Sequence, residues 1–386
     1  MQCIPDEEFA QRIQSIQEKL EENNFDAYLV HANETDHGNV RYLSDHWPIF
    51  ETAGVIIPRE GEPVLLIGPE AEPFARERSR IKKIRKLLAY REASEPDYPG
   101  MKLPTFEDVF DEISHGRGIR RLAIGDRATM TLPVYEGIWE ALGGNGEILN
   151  ADGIISDLRA VKSENELALI REAHRISEKA FTDILDLIQP GMTEKKVLGL
   201  LIERLYHYGA ECEAYPNYVF SGIKTRNAIG QASYDEIKTG QLIQFCVGAR
   251  YGGYASSVGR PVCIGKMPDR VRESVRFGLE VHKETFAWIR EGVEAKEVAT
   301  RYYDYFVKHG YGENFLYGPC HGCGIGENEK PWIETNSEYL LRRNMTFMAD
   351  TFFTARDFGF RWEDGIRVTE EGCEVFSNIR HEIIEL

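Results

Sequence analysis

Gly191-Met-Thr-Glu-Lys195-Lys-Val197, closing at Tyr208-Gly209, is matched further along the chain by Gly292-Val-Glu-Ala-Lys296-Glu-Val298, closing at His309-Gly310. Each copy reads Gly-x3-Lys-x-Val and reaches its closing glycine after the same interval. A helical pattern precedes each copy and a strand hairpin follows it. One duplication is too few for a solenoid, which needs about three repeats. It describes instead two α+β halves fused around a shared cleft, a common place for a site.

The two hairpins differ in charge. The first reads Ile243-Gln-Phe-Cys246-Val-Gly248, then Gly253-Tyr254-Ala-Ser256-Ser257; the second reads Thr346-Phe-Met-Ala-Asp350-Thr-Phe-Phe, then Arg361-Trp-Glu363-Asp364-Gly. Where one half offers Asp350 and Glu363, the other offers Cys246 and Ser257. This asymmetry bounds the chemistry open to the chain.

At 386 residues the chain has length for about two domains, each able to bury a core. A net charge of -17 argues against nucleic acid as a partner, because phosphate contacts need clustered Lys and Arg. No apolar run approaches the roughly 18 residues that span a bilayer, so no membrane partner is expected. Met1-Gln-Cys-Ile-Pro-Asp-Glu-Glu is acidic where a signal peptide is basic and then apolar. The seven Cys are scattered, which sets the expectation of a reduced, cytoplasmic setting.

Residues 7 to 24 carry Phe9, Ile13, Ile16 and Leu20 at helical spacing. Short apolar runs at 25–30, 53–57, 63–67 and 121–124 then read as strands among helical stretches, an α/β domain with a mixed sheet. The domains are expected at 1–155 and 156–386. Ser163-Glu-Asn-Glu166 is a capping box opening a long helix with Ile170, Ala173, Ile176, Ala180, Ile184 and Leu187 on one face. Gln189-Pro-Gly191 stops it, and Thr193 caps the next helix.

Cys320-His321-Gly322-Cys323-Gly324-Ile-Gly326, continuing through Asn328-Glu329-Lys-Pro331, is Gly-rich, so its backbone can approach a ligand closely. These residues resemble the creatinase, prolidase and aminopeptidase P group, the M24-like peptidases of pita-bread fold. The signature His-Gly-x-Gly then Glu-x-Pro is matched by His321-Gly322-Cys-Gly324 and Glu329-Lys-Pro331. Arg361-Trp-Glu363-Asp364 is similar to the closing strand of that family, and the likeness covers nearly the whole chain. It implies an α/β N-terminal domain, an α+β pita-bread domain of two pseudo-symmetric halves, and a homodimer.

The resemblance also implies a two-ion site held by Asp, Asp, His, Glu and Glu, which become Cys246, Ser257, His321, Asp350 and Glu363 here. Hard divalent ions need anionic oxygen ligands, and neutral Ser257 cannot bridge two cations, so no dinuclear centre, metal or other cofactor is expected. Creatinase, similar in fold, hydrolyses an amidino C–N bond without metal; the His it shares with the peptidases before the first hairpin is Ile229 here. The family's substrate-side His is Asn328. A loop like His46-Trp47-Pro-Ile-Phe50 reaches the partner's site in that family, making Trp47 and Phe50 candidates for a substrate lid; a surface turn packed by its own Trp is the plain alternative.

The expectation is therefore a metal-independent hydrolase of a C–N bond in a small polar metabolite. His321 is the expected general base, and Asp350 and Glu363 the acid or a cation clamp. Cys246 is a candidate nucleophile, though a strand Cys is more often a small buried hydrophobe. Ser257, Tyr254, Asn328, Glu329 and Arg361 are the candidate substrate-binding residues. Asp350 needs a partner, since burying a bare carboxylate is costly; Arg361 or Arg367 would serve. Cys320-x2-Cys323 lacks the second pair a structural zinc needs. Two alternatives stay open: a mononuclear metal-dependent hydrolase or Xaa-Pro peptidase-like enzyme using His321, Asp350 and Glu363 with or without Cys246, and a non-catalytic binding protein.

Overall fold

The computed structural model describes residues 3–377 and 379–386. Contacts divide the chain into two units, Ile4–Arg159 and Ala160–Leu386. None of the helices among the described residues is long and apolar enough to cross a membrane.

In the first unit the helix Asp6–Glu22 buries Phe9, Ile13, Ile16 and Leu20, the stripe that its spacing predicts. Beside it stands a six-stranded sheet built from β1 (Ala27–Ala32), β2 (Ala53–Pro58), β3 (Val64–Ile67), β4 (Ile84–Lys86), β5 (Arg121–Ile124) and β6 (Glu147–Asn150), in the order β4-β3-β2-β1-β5-β6. β1 to β3 form an antiparallel meander, while β4, β5 and β6 join in parallel. The edge strands β4 and β6 contain no fully buried residue, and neither gives an apolar run that the sequence could reveal.

The second unit opens with the helix Glu164–Leu187 and its capping box. Glu166 N–H donates to Ser163 Oγ while Ser163 N–H donates to the Glu166 carboxylate. The repeat then appears as two helices of equal length, Glu194–His207 and Ala295–Lys308. Gly191 and Gly292 open the copies at φ 86° and 81°, and Gly209 and Gly310 close them at 99° and 80°, left-handed values open to glycine without a Cβ penalty. Just before each helix, Thr193 bridges to Glu236 and Glu294 to Leu340.

A small sheet joins β7 (Cys212–Glu213), β10 (Ala249–Tyr251) and β11 (Tyr254–Ala255). The large sheet contains β8 (Tyr218–Ser221), β9 (Leu242–Val247), β12 (Val258–Cys263), β13 (Cys320–Gly322), β14 (Glu329–Ile333), β15 (Thr346–Thr354) and β16 (Gly359–Val368). Its path runs β14-β13-β15-β16-β12-β9-β8. The hairpins β9/β12 and β15/β16 meet where β12 pairs with β16, so the path unwinds from that seam in a similar way on both sides. Each half has its own core: Phe181, Val197, Leu201 and Phe245 in the first, Val298, Ala299, Phe347 and Ile366 in the second. These are the two pseudo-symmetric halves of a pita-bread domain.

The seam is pinned from one side by Asp364. Its carboxylate accepts from Arg260 Nη2 at 2.6 Å, His282 Nε2 at 2.9 Å, His381 Nε2 at 2.8 Å and the Ser377 hydroxyl. Removing one member of such a buried network leaves a charge without compensation, which typically costs about 3–5 kcal/mol.

Candidate active site

Successive residues of a strand face opposite sides of a sheet, so Glu363 points away from the side where Asp364 sits. Pairing then carries the site across the seam. Glu363 lies opposite Asp350 on β15 and opposite Gly259 on β12; Gly259 in turn lies opposite Cys246 on β9. Cys246, Gly259, Glu363 and Asp350 thus form one row on one face. Two residues along, Ser257 and Arg361 share that face, as does His321, which pairs with Met348 two positions from Asp350. The register brings together Cys246, Ser257, His321, Asp350, Arg361 and Glu363.

A residue missed in the sequence joins them. Glu327 Oε1 and Glu363 Oε1 each lie 3.8 Å from His321 Nε2. The ligand atoms of His321, Glu327 and Glu363 all fall within 4.8 Å of one another. His321 Nδ1 donates to the Gly322 carbonyl at 3.3 Å, which aims Nε2 at the carboxylates. Burial alone would lower the His321 pKa, but Glu327 and Glu363 outweigh it and raise it to about 9. With no ion bound, the two carboxylates therefore favour the protonated ring at neutral pH. Burial works against ionised Glu363, yet His321, Arg361 and the Ser257 hydroxyl hold it below its ordinary value. Burial pushes Glu327 up to about 8.

Asp350 finds its partner in Arg361, whose Nε lies 2.9 Å from Asp350 Oδ1. Arg361 Nη1 reaches Cys246 Sγ at 3.7 Å, and Nη2 donates to the Ala228 carbonyl at 3.3 Å and to the Tyr317 hydroxyl. Cys246 is buried and its thiol is pushed up to about 12 by that burial, which disfavours the thiolate a nucleophile needs. Ser257 Oγ lies 2.7 Å from the Tyr215 hydroxyl.

Other expected substrate contacts are engaged elsewhere. Tyr254 donates its hydroxyl to Glu166 at 2.8 Å. Glu329 pairs with Lys162 at 2.8 Å and accepts from Gly326 N–H at 3.0 Å. A β-carbon on Gly324 would lie 2.6 Å from the Glu329 carboxylate, so this glycine makes room for an internal ion pair rather than for a ligand. Asn328 is exposed and accepts from Trp332 Nε1 at 3.1 Å. In the first unit Trp47 packs between Arg41 and Arg78, 3.9 and 4.9 Å from its ring centre, with Phe74 edge-on. Phe50 stands 74% exposed. Ile229, where the resembled family has a His, is 84% exposed.

The profile of metallopeptidase family M24 matches residues 168–370, and that of the creatinase/prolidase N-terminal domain matches residues 12–161. The chain belongs to metallopeptidase family M24. An Xaa-Pro dipeptidase of Pyrococcus horikoshii is 28% identical over 379 residues, spanning 97% of this chain and 99% of its own. The X-Pro aminopeptidase structure from Thermotoga maritima MSB8 matches with a TM-score of 0.84 at 25% identity, covering 97% of this chain and 99% of that one. The prolidase structure from Pyrococcus horikoshii OT3 matches at 0.83 and 25% identity, covering 97% and 100%.

As a member of M24 this chain is expected to hold divalent ions, and its donors bear on how many. His321, Glu327 and Glu363 offer one nitrogen and two carboxylates. Their 3.8 Å separations exceed hydrogen-bond reach, yet fall inside the ~4.2 Å that two ligands on opposite sides of one ion span. That set fits one ion. For a second, Cys246 offers a buried thiol, Ser257 a hydroxyl, and Asp350 a carboxylate already facing a guanidinium. Those donors do not suit another hard, oxygen-seeking divalent cation.

Proposed function

We propose that this chain hydrolyses a C–N bond in a small peptide-like substrate of the Xaa-Pro dipeptide kind, using one divalent ion held by His321, Glu327 and Glu363. The convergence of those three ligand atoms, on the face where the two hairpins meet, is what carries this. Kinship with proteins named Xaa-Pro dipeptidase supports the substrate class. When bound, a divalent ion polarises a carbonyl and makes water a stronger nucleophile.

The chain's own groups prepare the site. The Nδ1–H bond to Gly322 fixes the His321 ring, and His321 and Arg361, with a smaller share from the Ser257 hydroxyl, hold Glu363 below its ordinary pKa. In the reaction water oxygen bonds to the carbonyl carbon, the C–N bond breaks, and the nitrogen leaves with a proton that water supplied.

A metal-free variant of the same reaction is favoured by one observation: His321 Nε2 and Glu363 Oε1 stand 3.8 Å apart, with the ring pushed towards its protonated form and the carboxyl held towards its ionised form. The water proton then passes to Glu363 while the departing nitrogen takes its proton from His321. Pairs pushed apart in pKa divide into acid and base in this way.

Elemental analysis of the purified chain, with turnover of an Xaa-Pro dipeptide panel before and after chelation, separates the two. Stoichiometric metal and loss of turnover on chelation are expected, with His321→Ala lowering kcat at least about 10²-fold. Full turnover without metal would leave the acid–base route. No turnover of any dipeptide would remove the peptidase assignment.

A further inference from the structure

We infer that Gln244 is a positioning residue: its side-chain amide stands in for strand hydrogen bonds that Pro261 cannot supply, and so fixes where β16 carries Arg361 and Glu363. For its effect on turnover, the inference rests on the hydrolase proposed above.

The register locates the gap. Cys246, Gly259 and Glu363 form one row across β9, β12 and β16. Two residues along each strand come Gln244, Pro261 and Arg361, with Gln244 directly opposite Pro261. β12 and β16 pair at Val258 and Gly259, and the same register carried two residues further sets Pro261 against Arg361. Proline has no N–H to give a neighbouring strand, which confines it to sheet edges and bulges; here it stands between two strands. One row back, a β-carbon on Gly259 would lie 2.8 Å from Glu363 Cβ and 3.1 Å from Arg361 Cγ. β12 therefore offers β16 no side chain at 259 and no donor at 261.

Gln244 fills that gap. It is buried, and its amide takes both main-chain groups of Arg361. The Arg361 N–H donates to Oε1 at 2.7 Å, and Nε2 donates to the Arg361 carbonyl at 3.1 Å. Such a pair of bonds is what one strand residue exchanges with another in an antiparallel ladder. The other N–H of Nε2 goes to the Phe245 carbonyl at 2.7 Å. That fixes the orientation of the amide, because reversing it would set its oxygen against two carbonyls. A carboxylate accepts without donating and an ammonium donates without accepting, so the task calls for an amide.

The site depends on this grip. From the backbone so held, the Arg361 side chain runs to Cys246 Sγ and the Tyr317 hydroxyl. Glu363 follows two residues on and faces His321.

Hydrogen exchange at the Arg361 amide, resolved by mass spectrometry on the full chain, tests the grip; turnover of the Xaa-Pro panel tests its consequence. Gln244→Met conserves volume and removes both bonds. It is expected to speed exchange at Arg361 about tenfold and to lower kcat about 10²-fold, the cost of a misplacement near 1 Å, with little change in KM. Adding Pro261→Val returns an N–H to β12, and the double variant is expected to slow exchange again and recover part of kcat. Native exchange or native kcat in Gln244→Met, or a double variant no better than the single one, overturns the inference. Should Gln244→Met not fold, Gln244→Glu replaces it. The carboxylate keeps the Arg361 N–H bond and loses the donation to the carbonyl, so kcat should fall while exchange at Arg361 stays slow; native kcat overturns the inference. A native chain that cleaves no C–N substrate removes the hydrolase reading. Exchange at Arg361 in Gln244→Met and in the double variant then decides alone whether Gln244 holds β16.

Discussion

Gly259 sits directly opposite both Cys246 and Glu363, and its lack of a side chain gives Arg361 its route. Gly259→Ala would press a methyl group against two functional stems. Overpacking of this kind costs about 1–3 kcal/mol, so the variant should unfold at lower urea concentration and lose activity together; native stability with native kcat would contradict this. Cys246 and Ser257 were legible in the sequence because they stand in motif positions where acids are expected. Glu327 was not. It follows Gly326 in a loop whose neighbours His321, Asn328 and Glu329 drew the attention, and a lone acid in a loop is ordinarily solvated. The usable signal was an acidic residue inside a glycine-rich segment that also carries His321. Glu329 misled for a related reason: the motif marks a conserved-looking spacing, whereas its carboxylate serves the buried Lys162.

Helices were the most readable elements, since each carries its own boundary chemistry. The capping box at Ser163 is formed in both directions, and Ser163→Ala should cost about 0.5–2 kcal/mol, seen as a lower unfolding midpoint by far-ultraviolet circular dichroism. An unchanged midpoint would mean that the helix start is held by its packing alone. Strands gave their facing but not their neighbours. The parity that places Arg361 with Glu363, and Ser257 with Gly259, follows from a period of two. That β12 would pair with β16, rather than each hairpin closing on itself, depends on contacts distant in sequence. The row of functional groups became visible only with that register.

Acid sensitivity belongs to both units of the molecule. His31 and His46 in the first, and His174 in the second, are buried and held down to about 4, chiefly because burial disfavours the charged ring. In the unfolded chain each takes its proton near pH 6.5, so stability falls as pH drops from there towards 4. Each histidine contributes up to about 1.4 kcal/mol per pH unit in that window. Urea unfolding at pH 7.5, 6.5 and 5.5 should show a smaller acid loss for His31→Phe than for the native chain, because Asp126 and Glu327, raised to about 7 and 8 chiefly by burial, gain stability over the same window in both; identical slopes would contradict the assignment. The duplication, the domain order and the family were all within reach of the sequence, because each is written as local pattern.

Glu363 and Asp364 are chain neighbours that serve opposite sides of one strand. A shift of β16 by a single residue would trade them, sending an acid into the binding face while stranding Arg260, His282 and His381 without their anion. Any misaligned chain therefore suffers twice over, and the thermodynamic drive to assemble the interior proofreads the geometry of the reactive surface. An engineer can rewrite that surface residue by residue, provided the clasp behind it is left alone.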